Sequence, residues 1–321
     1  MKKMFAILLC GLMIVSVMCG CDQTGAESTE PSETEVTYPY DFTSEEFFYI
    51  KEWYNYIPLA PLSGVGDTGT FFELKTYTPE GTEKPFYVMQ GGCCDGEYAY
   101  FILEGSNVVI DEINYAKAHV LFKVDMKTWT VVDQSDPIPM GHGNGMCYNS
   151  KLDRIIISYC NDIEQTEDVN ETKVIGFMDP DTLEIVDTKV LDFGIYAIDY
   201  NEKRDLYVVG IKGNPAAFAV LSNDFVELGY YDGTNVNLGS QDVGCDDNYI
   251  YVGNSGVVSN PGLEVVKVYD WDGEYKGIFR VDSVSEQEAI FNWGNDYYIT
   301  FYTGGGGRVY KIEYDFDLLG D

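Results

Sequence analysis

The strongest constraint on the fold is a unit that recurs five times: a strand, a short polar turn and a second strand. It reads LFKVDMKTWTVVD from Leu121, VIGFMDPDTLEIVD from Val174, AFAVLSNDFVELG from Ala217, VVKVYDWDGEYKGIF from Val265 and RVYKIEYDFDLLG from Arg308. Aligned on the turn, Asp125, Asp179, Ser222, Asp270 and Glu313 share one column. Short polar side chains there bond the backbone of their own turn, so the column needs no ligand to explain it.

A second unit precedes each copy. It reads QGGCCDGEYAYF from Gln90, NGMCYNSKLDRIIIS from Asn144, YAIDYNEKRDLYVVG from Tyr196, QDVGCDDNYIYVG from Gln241 and QEAIFNWGNDYYITF from Gln287. Each has a strand of small residues, a turn of Asp, Asn or Gly, and a strand rich in aromatic and β-branched residues. The two units together give four strands per repeat, which is the arithmetic of a propeller blade. The expected fold is therefore all-β, a β-propeller of five four-stranded blades, with six or seven as alternatives. A β-sandwich would explain the strands but not their recurring order. The segment from Gly69 (GTFFELKTYTPEGTEKPFYVM) is either an outer strand that latches the ring shut or part of a sixth blade. The stretch from Ser44 (SEEFFYIKEWYNYI) suits a short helix or an extended segment packed on the outside.

The N-terminus is of a different kind. Met1-Lys2-Lys3 precedes an apolar run from Met4 to Met18, and the chain turns acidic directly after Cys19-Gly20-Cys21. A charged start, a short apolar middle and a small residue before the cut make an export signal. The run is shorter than the roughly 18–20 residues that span a bilayer comfortably. Met18-Cys19-Gly20-Cys21 resembles the bacterial lipobox, with Gly20 before a lipid-accepting Cys21 and Met18 where that motif prefers Leu. The resemblance implies a lipid anchor on Cys21; Cys19 is the weaker acceptor, since Met18 would precede the cut. A signal with incidental cysteines and an uncleaved anchor are the alternatives. The following DQTGAESTEPSETEVTYP buries too little to offset chain entropy and reads as a disordered tether. The expected organisation is signal peptide 1–20, tether 21–39, lead-in with a candidate ring-closing strand 40–85, and propeller 86–321. The expected location is the outer face of the cytoplasmic membrane, with the outer membrane as the alternative.

The formal charge of -33 argues against nucleic acid, whose binding rests on Lys and Arg neutralising phosphates. It also argues against docking on anionic lipid through a basic patch. Cys93, Cys94, Cys147, Cys160 and Cys245 are odd in number and lack CxxC spacing, so they read as buried small hydrophobes. The alternatives are a Cys93–Cys94 vicinal bridge and a pair across inner strands. The acidic loop from Asn161 to Thr172 does not match an EF-hand, and no metal site or cofactor is expected, with calcium as the minor alternative.

The first strand of each blade lines the central channel of a propeller. Gln90, Asn144, Tyr196, Gln241 and Gln287 share one position at the start of those strands, a polar ring where a structural strand would alternate apolar residues. Asp242, Glu286, Glu288 and His142 lie beside it, and the glycine-rich run from Gly141 to Gly145 allows close backbone approach. His142 reads as a base, metal ligand or polar clamp, or as a histidine satisfied by its own turn. His119, at a strand start, reads as ordinary surface or edge structure. The ligand-binding set is thus Gln90, His142, Asn144, Tyr196, Gln241, Asp242, Gln287 and Glu288, with no catalytic residue assigned. A competing catalytic set for glycan cleavage draws on Asp199, Asp242, Glu286, Glu288 and His142. Nucleophile elbow, phosphate loop, HExxH and dinucleotide fingerprints are all missing from the sequence.

The DGxYxYF-type strand pairs and the GHGNGMCYN run resemble those of bacterial extracytoplasmic propeller lipoproteins, and loosely those of lyase-like and NHL-like propellers. The resemblance implies blades rather than an activity. The leading expectation is a membrane-tethered binding module with a small polar ligand or protein partner at the channel mouth. The alternative is a glycan-acting hydrolase or lyase at the same mouth. Replacing Cys21 with Ser is expected to move the mature protein from the membrane fraction to the soluble extracytoplasmic fraction, read by immunoblot after fractionation.

Overall fold

Alternation of apolar residues on both faces of a strand requires cover on both faces, and the chain meets that demand by stacking sheets around an axis. The computed structural model describes residues 54–64, 70–80, 82–110, 112–160, 173–233, 236–256, 262–283 and 285–313. The signal peptide, Cys21 and tether, and the acidic loop 161–172, lie outside the described residues. Of the stretch from Ser44, only a single 3₁₀ turn at Tyr54–Tyr56 is described. No helix among the described residues is long and apolar enough to cross a membrane.

Five four-stranded antiparallel blades are present. Blade 1 is Phe86–Cys94, Tyr98–Ile110, Ile113–Asp125 and Thr130–Gln134. Blade 2 is Met146–Asn149, Arg154–Ser158, Val174–Met178 and Ile185–Val190. Blade 3 is Ile195–Asn201, Leu206–Ile211, Phe218–Ser222 and Glu227–Tyr231. Blade 4 is Gly239–Cys245, Tyr249–Ser255, Glu264–Asp270 and Tyr275–Val281. Blade 5 is Gln287–Trp293, Asp296–Tyr302 and Gly306–Ile312, completed by Phe72–Lys75 from the N-terminal side. The first strand of each blade contacts the first strand of the next, and that of blade 5 returns to blade 1. The ring is closed.

The energetics follow the same plan. Five apolar clusters fill the five gaps between neighbouring blades. Alternation in Tyr98–Ile110 shows the device: Tyr100 and Ile102 pack toward blade 2, Phe101 and Leu103 toward blade 5. The fourth strands of blades 1, 2 and 3 lie outside and are largely exposed, as in Thr130–Gln134. Turn columns behave as the sequence suggests. Asp125 Oδ1 accepts from the Lys127 and Thr128 amides at 2.8 Å, Asp179 from Asp181 and Thr182, and Asp270 from Asp272 and Glu274.

The segment from Gly69 is the latch, not a sixth blade. Phe72–Lys75 pairs antiparallel with Gly306–Ile312, setting Phe72 opposite Val309 and Lys75 opposite Gly306. Just before it, Leu59–Ala60 runs parallel to the edge of blade 4 and Leu62–Ser63 pairs with blade 5. Phe72 is buried and stacks on Phe101 of blade 1 with ring centroids 5.7 Å apart. Phe72→Ala is expected to lower stability by about 3 kcal/mol, on the order of 10 °C in Tm. Val131→Ala on an exposed outer strand should stay within about 0.5 kcal/mol; thermal melts of both variants check this.

Candidate binding site at the channel mouth

Each residue of the polar ring stands five positions before a residue at the end of its inner strand, Asp95, Asn149, Asn201, Asp246 or Asn292. Their side chains nevertheless separate into three groups. Asn144, Tyr196 and Gln241, with His142 and Glu286, line a cavity of about 420 Å³ at the start of the inner strands. Gln90, Asp242 and Glu288 are buried, and none of them lines the cavity. Gln287 turns away altogether: its amide donates to the carbonyls of Asn254 (2.6 Å) and Val265 (2.9 Å) and ties blade 5 to blade 4.

Hydrogen bonds cross the mouth of the channel. Asn144 Nδ2 reaches from blade 2 past blade 3 to the Gln241 carbonyl at 3.2 Å, while its Oδ1 is buried without a hydrogen-bond partner. The Gln241 amide donates to Glu286. The glycine run makes these approaches feasible. Gly143 has φ +68, and a Cβ on Gly145 would sit 2.4 Å from the Ala197 Cα of blade 3.

His142 is held from behind by residues that the sequence reading missed. The second and third strands of blade 1 are each 13 residues long, against 5–7 in the same strands of the other blades. This long hairpin carries Glu104, Lys117 and His119. Glu104 Oε2 lies 2.8 Å from His142 Nδ1, 2.9 Å from Lys117 Nζ and 3.8 Å from His119 Nε2. Burial alone would raise the Glu104 pKa, but the His142 hydrogen bond and the nearby imidazoles and Lys117 prevail and lower it to about 2. His119, expected at surface or edge, is fully buried, and its Nε2 sits 2.9 Å from the His142 carbonyl. Burial pushes its pKa down to about 4. The signal was present: Glu104 interrupts the apolar run FILEG, and a lone acid in such a strand needs a buried partner. His142 also lines the cavity, and with Nδ1 committed to this network its Nε2 is the nitrogen left for a ligand. Lys212 and Cys160 also line the cavity, with Nζ 3.8 Å from Sγ.

Of the four carboxylates considered for glycan cleavage, only Glu286 lines the cavity. Burial raises its pKa, against a hydrogen bond from Gln241. Asp199 accepts from the Tyr200 and Cys245 amides, yet burial pushes its pKa up to about 7. Burial also drives Asp242 and Glu288 well above the usual carboxylate range, and Asp242 Oδ1 has no partner. Among the described residues Cys93, Cys94, Cys147, Cys160 and Cys245 are all free thiols. Among the described residues no cluster of three His, Cys, Asp or Glu side chains is placed to hold a metal.

Comparison with solved structures agrees with the architecture. Glutaminyl cyclase from Myxococcus xanthus superposes with a TM-score of 0.50 at 10% identity, covering 80% of this chain and 97% of that one. Hydrazine synthase from Kuenenia stuttgartiensis gives 0.40 at 13% identity, covering 70% and 59%. The Pan2 WD40 domain of Neurospora crassa gives 0.37 at 8%, covering 71% and 90%. The Myxococcus structure, the one of the three that reaches 0.50, is propeller-like and agrees with the ring of blades. The fold is a β-propeller. At such identities the likeness speaks for the fold alone. No protein-family model and no curated protein matches the chain in sequence.

Buried carboxyls with raised pKa hold protons more tightly folded than unfolded. Their folded-state advantage is therefore complete below their ordinary values near pH 4 and is lost as pH rises through the folded ones. Glu104 acts oppositely, stabilising above its ordinary value and losing that effect as pH falls toward 2. Tm is expected to be higher near about pH 5 than about pH 8. Asp242→Asn, whose amide nitrogen can occupy the unpartnered Oδ1 position, should raise Tm at the higher pH and leave the lower nearly unchanged. Calorimetry at both values decides it; a parent protein more stable at the higher pH would refute neutral buried carboxyls.

Proposed function

We propose that the chain is a membrane-tethered, extracytoplasmic binding module that takes a small polar ligand in the channel-mouth cavity. The observation that carries this reading is convergence: His142 and Asn144 ahead of blade 2, Tyr196 of blade 3, Gln241 of blade 4 and Glu286 ahead of blade 5 meet in one space. Its volume lies within the roughly 300–1,000 Å³ typical of ligand sites. The lining mixes an imidazole, amides, a phenol, an ammonium and a carboxyl, a set able to fix a ligand's orientation at several points. Tethering rests on the lipobox-like Cys21 and the polar spacer behind it.

A second reading is favoured by the Glu104–His142 pair. A carboxylate that orients an imidazole, facing a carboxyl with a raised pKa, is the pairing expected of general base and general acid. This reading uses His142 and Glu286 in place of the buried Asp199, Asp242 and Glu288. The full-length chain should be screened by thermal shift against sugars, amino acids, dicarboxylates and divalent ions. A ligand that stabilises the parent is expected to bind at least about tenfold more weakly to His142→Ala and Gln241→Ala, about 1.4 kcal/mol each. If neither substitution alters the response, the cavity is not the site. Turnover lost in both His142→Ala and Glu286→Gln would favour the catalytic reading.

A further inference from the structure

The opposite ends of the inner strands enclose a second and larger cavity, about 670 Å³, to which all five blades contribute. At its rim stands Trp293, the last residue of blade 5's first strand, 51% exposed. An indole so placed gives up much of the burial energy that the other large rings of this chain obtain. It is nonetheless held in place. The outer edge of its six-membered ring meets the turn of blade 1 at Gly96, where φ is +96 and a Cβ would come within 2.0 Å of Trp293 Cη2. Glycine is thus required at position 96 by both backbone angle and clearance. One edge of the indole abuts blade 1 and the ring borders the cavity, where it offers an exposed aromatic platform.

The polar lining sorts into committed and available groups. Asp95 accepts from the Glu97 and Tyr98 amides and the Tyr100 hydroxyl. Asp246 accepts from the Asn248 and Tyr249 amides and the hydroxyls of Tyr251 and Tyr297. Lys151 pairs with Asp205 at 3.0 Å and Lys203 with Asp247 at 2.8 Å, so both ammonium groups are already neutralised. The side-chain amides of Asn248, Asn292 and Asn295 make no intramolecular hydrogen bond among the described residues, and each offers both donors and an acceptor.

We propose that this cavity is a binding site for a neutral saccharide, with Trp293 as the stacking platform and the three asparagines as hydroxyl partners. An anionic ligand would find no uncommitted cation and several carboxylates. A quaternary ammonium ion would need rings on several sides, but Tyr200 is buried and the hydroxyls of Tyr148, Tyr200 and Tyr297 are fixed on Asp153, Asp205 and Asp246. One exposed ring with free amides suits a sugar, which presents an apolar C–H face and hydroxyls that both give and accept hydrogen bonds.

The test titrates full-length protein in detergent with hexasaccharides of β-1,4-glucose, β-1,4-xylose, β-1,4-mannose, β-1,4-N-acetylglucosamine and α-1,4-glucose. Tetramethylammonium and choline serve as competitors, and calorimetry and tryptophan fluorescence as readouts. At least one saccharide is expected to bind and change the fluorescence. Trp293→Ala should weaken it tenfold or more at unchanged Tm, Trp293→Phe should lie between, and Asn292→Ala should weaken it without touching the platform. His142→Ala, which tests the other face, should leave saccharide binding intact. The proposal is overturned if no saccharide binds, if binding survives both Trp293→Ala and Asn292→Ala, or if it is abolished by His142→Ala. Binding of the ammonium ions alone overturns it as well.

Discussion

The middle strands bury apolar residues on both faces, and a sheet of that kind is stable only between two neighbours. The blades satisfy one another in a circle, and the circle works only if the last gap is filled. Phe72–Lys75 fills it by adding an N-terminal strand to a C-terminal blade. The closing strand also shares one cluster with blade 1, where Phe72, Phe101, Phe291 and Tyr298 pack together. Every site described above depends on that closure, because each draws its residues from at least four blades that have no other reason to meet.

Closure also sets the electrostatics of the axis. Carboxyls at the narrow centre lose their water, and with few basic side chains nearby burial raises their pKa, Asp199 to about 7 and Asp242 and Glu288 well above the usual range. Glu104 is the exception, since Lys117 and both histidines of the chain surround it. One acidic composition therefore yields two kinds of carboxyl: those that burial raises, and Glu104, which its neighbours lower and which pairs with His142. The difference is made by partners rather than by depth, as Glu104 is itself buried.

The two ends of the inner strands have diverged in use. At one end Asp95 and Asp246 are spent on capping turns and receiving tyrosine hydroxyls. At the other end the chain is longer and less regular, with the extended blade 1 hairpin bracing the glycine run around His142. Regular turns give a shallow rim on which one indole can stand proud. Irregular connections give a mouth with convergent polar groups.

Local chemistry made much of this legible in advance. Period-two patterning, turn residues at fixed offsets and the repeat length specify four-stranded blades, because these are interactions between near neighbours in the chain. The equivalence of Gln90, Asn144, Tyr196, Gln241 and Gln287 was legible for the same reason, being a register within a strand. Where those side chains point was not. Gln287 faces blade 4, Asn144 crosses the mouth and Gln90 lies buried, since rotamers are chosen by whichever backbone the ring brings close. Glu104 and Lys117 reach His142 across 38 and 25 residues of sequence, and Trp293 meets Gly96 across the closing gap. Such contacts cost loop entropy that only a completed ring offsets, so the tertiary structure alone decided them.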